Sequence, residues 1–126
     1  MSIETGVLIS LDGQPIHWHL PPGRSCGYLP DSRDLWDIIW KNRGILDGFA
    51  HSHPGFGIPA PSNEDITTFA AVESALGRNL KWWITSANST ILLVRVSGNY
   101  QPDFVMQEPS WIQKLRELSG FDPNVS

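Results

Sequence analysis

The spacing of apolar and polar residues near the start of the chain predicts a β-hairpin. Residues 3–10 are apolar and β-branched after Gly6, as in a buried strand. Asp12-Gly13 is a typical hairpin turn, and residues 15–20 then alternate between apolar and polar side chains. This alternation places Ile16, Trp18 and Leu20 on one face and His17 and His19 on the other, where we expect both imidazoles to face solvent.

The rest of the pattern predicts three helices and three further strands. Ser62 and Gly77 mark the two ends of the longest helix, because Ser is a preferred N-cap and Gly a preferred C-cap. Because strands and helices intermix, the predicted class is α/β or α+β with a mixed sheet, in a single domain covering residues 1–126. We expect helices over 33–42, 62–76 and 110–120, strands over 45–53, 80–85 and 90–96, and loops over 21–30, 54–61 and 97–103.

Composition favours a small globular protein of the cytoplasm. Hydrophobic residues make up 40% of the 126 residues and charged residues 17%, which excludes a disordered, charge-dominated chain. The net charge of -4 comes without any basic block, so neither nucleic acid nor a membrane surface is an expected partner. The single Cys26 allows no internal disulfide, and we expect neither a secretory signal nor a membrane-spanning segment.

Two histidines and an aspartate form a candidate metal site. His51 and His53 are two residues apart at the end of a predicted strand, so both imidazoles point to the same face. Asp65 falls in the first turn of the next helix, after a short loop rich in Gly and Pro. Two imidazoles and one carboxylate are the protein ligands of an open catalytic zinc site, which leaves the fourth position for water.

Each half of this site also has a simpler interpretation. Ser62 and Asp65 have the spacing of a capping box, and an isolated pair of histidines is often merely exposed. Zinc hydrolysis further requires a group that accepts a proton from the water, and the carboxylates of Glu4, Glu64 and Glu73 are all candidates by spacing.

The combined pattern resembles the signature of the JAMM (JAB1/MPN/Mov34) metalloprotease family. The resemblance lies in Glu4-Thr5-Gly6-Val7-Leu8-Ile9, in His51-Ser52-His53-Pro54 and in Ser62-Asn63-Glu64-Asp65, and it spans most of the chain. Eleven residues separate His53 from Asp65, one more than is usual in the family, so Glu64 competes for the role of third ligand. We prefer Asp65 because it keeps the Ser-x-x-Asp spacing.

The resemblance implies a fold, a cofactor and a reaction. The fold is a cytidine-deaminase-like α/β domain, a curved mixed sheet flanked by helices, in a compact member of the prokaryotic type. His51, His53 and Asp65 would bind Zn²⁺, Glu4 would act as the general base, and Ser62 would stabilise the oxyanion. The implied reaction is hydrolysis of an amide or isopeptide bond after the C-terminal tail of a ubiquitin-like or sulfur-carrier-like protein. An inactive MPN-like scaffold and a phage or cell-wall peptidase are the alternatives.

Overall fold

A computed structural model describes residues 2–121 of the chain, which form a three-layered α/β structure. Within residues 2–121, three helices accompany six strands, one of which the sequence pattern did not predict. No helix in the described part is long and apolar enough to cross a membrane. In chain order the elements are β1 (Gly6–Ser10), β2 (Pro15–His19), α1 (Arg33–Lys41), β3 (Leu46–Ser52), α2 (Asn63–Leu76), β4 (Lys81–Thr85), β5 (Thr90–Val96), β6 (Asn99–Phe104) and α3 (Trp111–Leu118).

The six strands form one mixed sheet in the order β2-β1-β3-β4-β5-β6. Neighbouring strands are antiparallel except β3 and β4, which are parallel and are joined through α2. The predicted α/β class with a mixed sheet is therefore confirmed. The crossover also places the start of α2 beyond the end of β3, so that loop and helix return to the strand that carries the two histidines.

Apolar side chains cover both faces of the sheet, and helices pack on both. On one face, α1 and α2 contribute Leu35, Ile39 and Phe69 to a core that also contains Leu8, Trp82 and Ile84. On the other face, α3 packs Trp111, Ile112 and Leu115 against Val7, Ala50 and Trp83. Alternation along each central strand supplies both cores, because successive side chains point to opposite faces.

Two predictions about the edges of the sheet were wrong. The segment 97–103 was expected to be a loop, but Asn99–Phe104 is the edge strand β6. Its Pro102 and exposed polar residues conceal the strand pattern, and an edge strand tolerates both because one side of its backbone needs no partner. The second error is in β2, where a register shift between Leu8 and Ile9 places Ile16 against the core on the face opposite Trp18, although both were expected on one face.

His19 lies in the interior because the face of β2 that carries it is covered. His17 and His19 do share a face, as predicted, but it is the face covered by α1 and α2. His19 is only 3% exposed, and its Nε2 lies 2.7 Å from the carbonyl oxygen of Pro30, to which it donates. The expectation that both imidazoles face solvent is therefore wrong for His19.

Candidate metal centre

Strand pairing brings the start of the chain to the two histidines. In the β1–β3 ladder Gly6 pairs with His51, and the backbone N–H of Ser52 continues the ladder by donating to the carbonyl of Thr5 at 3.0 Å. Because the strands are antiparallel, Glu4 then lies beside the end of β3 that carries His53. The pairing of β1 with β3 thus brings Glu4 close to His51, although the two residues are 47 positions apart in the sequence.

The three side chains expected to bind a metal converge in space. His51 Nε2 lies 3.0 Å from His53 Nε2 and 3.4 Å from one carboxylate oxygen of Asp65. His53 Nε2 lies 3.2 Å from the other oxygen of Asp65. His51 is almost fully buried, whereas about a quarter of the His53 side chain and a fifth of the Asp65 side chain are exposed. The donor set opens towards solvent on the side of His53 and Asp65.

The capping box predicted at the start of α2 is also present, on the same aspartate. The Asp65 backbone N–H donates to the Ser62 hydroxyl at 3.0 Å, and the Ser62 backbone N–H donates to the Asp65 carboxylate at 2.9 Å. The two interpretations of Ser62-x-x-Asp65 are therefore compatible. The capping hydrogen bonds fix the carboxylate in the position where it meets both imidazoles.

Glu4 lies close enough to join the same cluster. Glu4, His51 and His53 each offer a ligand atom within 4.8 Å of the other two, and this cluster could hold a metal ion. Asp65 approaches both imidazoles more closely, at 3.4 and 3.2 Å, and so it fits the role of third ligand better than Glu4 does. Glu4 lies farther from the imidazoles than Asp65 does, but within 4.8 Å of them.

Burial makes Glu4 a weaker acid than an ordinary glutamate. Glu4 is only 8% exposed, and the loss of hydration raises the pKa of its carboxyl group to about 7. The positive field of His53 opposes this shift, whereas the charges of Asp65 and Glu64 reinforce it. A carboxylate with a pKa near neutrality is suited to accepting a proton and later returning it.

The imidazoles and Asp65 shift one another's protonation equilibria. Burial lowers the pKa of His51, which favours the neutral imidazole that binds metals. Burial also opposes ionisation of His53, but the hydrogen bond and negative charge of Asp65 outweigh it and raise the pKa of His53. Burial disfavours the charged carboxylate of Asp65, yet the hydrogen bonds with the two histidines and with Ser62 hold its pKa far below the usual range. Asp65 is therefore ionised at every physiological pH.

The remaining candidates occupy different positions. Glu64 is exposed at the mouth of the site, one residue before Asp65. Glu73 is buried in α2, where its carboxylate accepts hydrogen bonds from the Leu80 backbone, the Trp82 indole and the Tyr100 hydroxyl. These contacts occupy both oxygens, so Glu73 is part of the core and unavailable to the site.

Two aromatic rings pack against the imidazole of His51, a contribution that the sequence pattern did not reveal. Phe49 stacks on His51 with a centroid separation of 6.2 Å, and Phe69 meets the same imidazole edge-on at 6.2 Å. Gly6 makes room for Phe49, because a Cβ at that position would lie 2.3 Å from the ring. This requirement for glycine follows from the pairing of Gly6 with His51 in the sheet, which the sequence pattern does not show.

A cavity of about 910 Å³ opens beside the cluster and extends between α1 and α2 above the sheet. In the described part of the chain its lining contains carboxylates and three histidines but no Lys or Arg side chain. The acidic lining residues are Glu4, Asp31, Glu64 and Asp65, and the apolar walls include Leu35, Trp36, Ile39, Phe69 and Val72. Cys26 is exposed on the loop at its rim.

Comparisons with known proteins did not supply a family. None of the protein-family models compared with the chain matches it, and no curated protein matches it either.

Proposed function

We propose that this chain is a zinc-dependent metallopeptidase with a JAB/MPN-type fold. The observation that carries the proposal is the convergence of His51, His53 and Asp65, with Glu4 adjacent. The two imidazole nitrogens lie 3.0 Å apart, and each lies 3.2–3.4 Å from a different oxygen of Asp65. These separations are comparable with the edges of about 3.3 Å that bonds of ~2.0–2.1 Å give around a tetrahedral ion. One thiol in the chain excludes a thiolate site, and two imidazoles with one carboxylate suit zinc.

The protein's own groups divide the work of amide hydrolysis. Bound zinc would lower the pKa of a water ligand towards ~7 and polarise the scissile carbonyl. Glu4 takes the proton of the attacking water and delivers it to the leaving amine. The raised pKa of Glu4 serves both steps, because a group that holds its proton too weakly cannot protonate the amine.

Ser62 completes the site as a hydrogen-bond donor. Its oxygen already accepts the Asp65 backbone N–H, but the hydroxyl proton has no partner within the capping box. This proton is free to stabilise negative charge on the carbonyl oxygen as water attacks. The cap thus holds the donor in place before substrate arrives.

The charges of the cavity favour an internal amide or isopeptide bond as substrate. A peptidase that removes C-terminal residues uses a fixed cation such as Arg or Lys for the free carboxylate, and the described lining contains no Arg or Lys. The C-terminal tail of a ubiquitin-like or sulfur-carrier-like protein that is joined through an amide bond brings no free terminal carboxylate, so it can enter the apolar groove without repulsion from the carboxylates of the lining. Peptidoglycan stem peptides carry several carboxylates and fit it less well.

The decisive experiment is cleavage of a fluorogenic amide on the C-terminal tail of a ubiquitin-like protein. We expect activity that is abolished by a chelator, restored by zinc and absent from a His51→Ala, His53→Ala double variant. An acidic stem-peptide substrate serves as the comparison and should be cleaved more slowly. Zinc binding without cleavage of either substrate would favour an inactive scaffold, and preference for the stem peptide would favour a cell-wall peptidase.

A further inference from the structure

The segment that carries Glu4 is buried and precedes β1. Its backbone is held from three directions by residues distant in the chain. Ile3 N–H donates to the carbonyl of Ser119, and Glu4 N–H donates to the carbonyl of Ser25, both at 2.9 Å. Thr5 N–H donates at 2.9 Å to the hydroxyl of Ser52, the residue between the two candidate histidine ligands.

The hydroxyls of Ser52 and Ser119 link this segment to the end of α3. The two oxygens lie 2.7 Å apart, and Ser119 Oγ also lies 2.6 Å from the carbonyl of Leu115. Both serines are completely buried. When the Ser119 hydroxyl donates to the Leu115 carbonyl, its oxygen is left to accept the proton of the Ser52 hydroxyl. The Ser52 oxygen in turn accepts the Thr5 backbone N–H, so that every group in this chain of hydrogen bonds is satisfied.

Helix α3 provides a rigid anchor for these contacts. Trp111, Ile112 and Leu115 are buried against the face of the sheet opposite the candidate metal centre. Ser119 caps the C-terminal end of the helix, with its backbone N–H donating to Leu115 at 3.1 Å. The helix is therefore connected to the segment that carries Glu4 through the side chain of Ser52, which points to the face of the sheet opposite the imidazoles.

We propose that Ser119 is a positioning residue for Glu4 and acts through the Ser52 hydroxyl. This inference rests on the proposed function, because it takes Glu4 to be the general base. Loss of the Ser119 hydroxyl leaves the Ser52 proton with only the Thr5 carbonyl, at 3.5 Å, as a distant acceptor. Ser52 then turns, the Thr5 N–H loses a well-placed acceptor, and Glu4 is no longer fixed against the water it must deprotonate.

The test compares Ser119→Ala with Ser110→Ala, a matched change at the other end of α3. Ser110 is exposed and makes no side-chain capping hydrogen bond, so its loss should leave kcat unchanged. For Ser119→Ala we expect a kcat decrease of about tenfold, since small displacements of reacting groups cost up to ~100-fold. KM and zinc content should stay the same. Combining Ser119→Ala with Glu4→Gln should add no further loss, because both changes remove the same contribution.

Backbone amide exchange measured by NMR provides a readout that does not depend on activity. We expect the Thr5 amide to exchange slowly in the wild-type protein and at least about tenfold faster in both Ser52→Ala and Ser119→Ala, with Ser110→Ala as wild type. If the wild type cleaves nothing, the proposed function fails while faster Thr5 exchange still supports the positioning contact. If Ser119→Ala does not fold, Ser119→Cys retains the volume with a weaker hydrogen bond and should show an intermediate effect. An unchanged Thr5 amide in a folded Ser119 variant, or equal losses of activity with and without the Glu4 carboxylate, would overturn the proposal.

Discussion

Ser62 and Asp65 form a reciprocal capping box while the same Asp65 carboxylate meets the imidazoles of His51 and His53. The backbone contacts orient the carboxylate before any ion binds. An aspartate fixed in this way loses little conformational entropy when it becomes a ligand, since the helix has already ordered it. Under the proposed function, helix capping and metal binding would therefore be two uses of one arrangement.

The first prediction separates the two acidic neighbours at the start of α2. Asp65→Asn should lose zinc, whereas Glu64→Gln should retain it, because adjacent residues differ by ~100° around a helix and only Asp65 meets the imidazoles. Elemental analysis of both variants provides the measurement. Zinc retained by Asp65→Asn but lost by Glu64→Gln would mean that the helix binds metal in a register shifted by one residue.

The second prediction concerns metal stoichiometry. Protein purified without a chelator should contain one zinc per chain, and replacing His51 and His53 together by Ala should remove it. His17→Ala is the matched control and should keep the metal, because the neighbouring His19 is already engaged with the Pro30 carbonyl. Full zinc content in the double variant would place the metal elsewhere.

The third prediction concerns Glu4. Glu4→Gln should retain zinc and fold but lose activity by ~10²–10⁴-fold, the usual contribution of general acid–base catalysis. Glu64→Gln is the control and should retain most of the activity. Undiminished cleavage by Glu4→Gln would transfer the role of base to another group, and loss of zinc in this variant would make Glu4 a ligand.

The fourth prediction concerns Gly6 beneath the site. Gly6→Ala would bring a Cβ to 2.3 Å from Phe49, so the ring must move away from His51. We expect destabilisation of about 1–3 kcal/mol, typical of overpacking, together with weaker zinc binding. Denaturant unfolding and zinc titration measure the two effects. Gly44→Ala, which has open space around its Cβ position and no positive φ, is the control. Unchanged zinc affinity in Gly6→Ala would show that the Phe49 contact does not support His51.

The fifth prediction is a pH effect on stability away from the site. Arg116 makes two hydrogen bonds to Glu108, at 2.6 and 2.7 Å. Burial disfavours the Glu108 carboxylate, but Arg116 and Thr90 outweigh it and lower the pKa of Glu108 below its ordinary value of 4.5. The pair should therefore stabilise the fold above pH ~4.5 and lose this effect as the pH falls through the lowered pKa.

Glu108→Gln tests this effect directly. The variant should be less stable than wild type by up to about 1 kcal/mol at pH 7, since the pair is partly exposed. The difference should shrink in denaturant unfolding at progressively lower pH. A difference that stays constant between pH 7 and pH 3 would contradict the assigned linkage.

Local sequence chemistry was sufficient to predict much of the fold. Ser62 and Gly77 gave the ends of α2 because a cap depends on hydrogen bonds and backbone angles within a few residues. His51 and His53 were predicted on one face for the same reason, since the two-residue period of a strand is local. β6 escaped prediction because an edge strand tolerates polar residues and proline, which remove the pattern.

Long-range pairing decided what the local pattern left open. Spacing could not choose among the acidic residues that compete for the role of base, but the β1–β3 register brings Glu4 to the histidines, and three hydrogen bonds occupy Glu73 in the core. The same register requires Gly6 beneath Phe49, and the docking of α3 brings Ser119 to Ser52 across 67 positions. Residue types and short spacings encode ligand chemistry and capping, whereas the position of a distant carboxylate depends on which strands pair, a choice made by burial of both faces of the sheet.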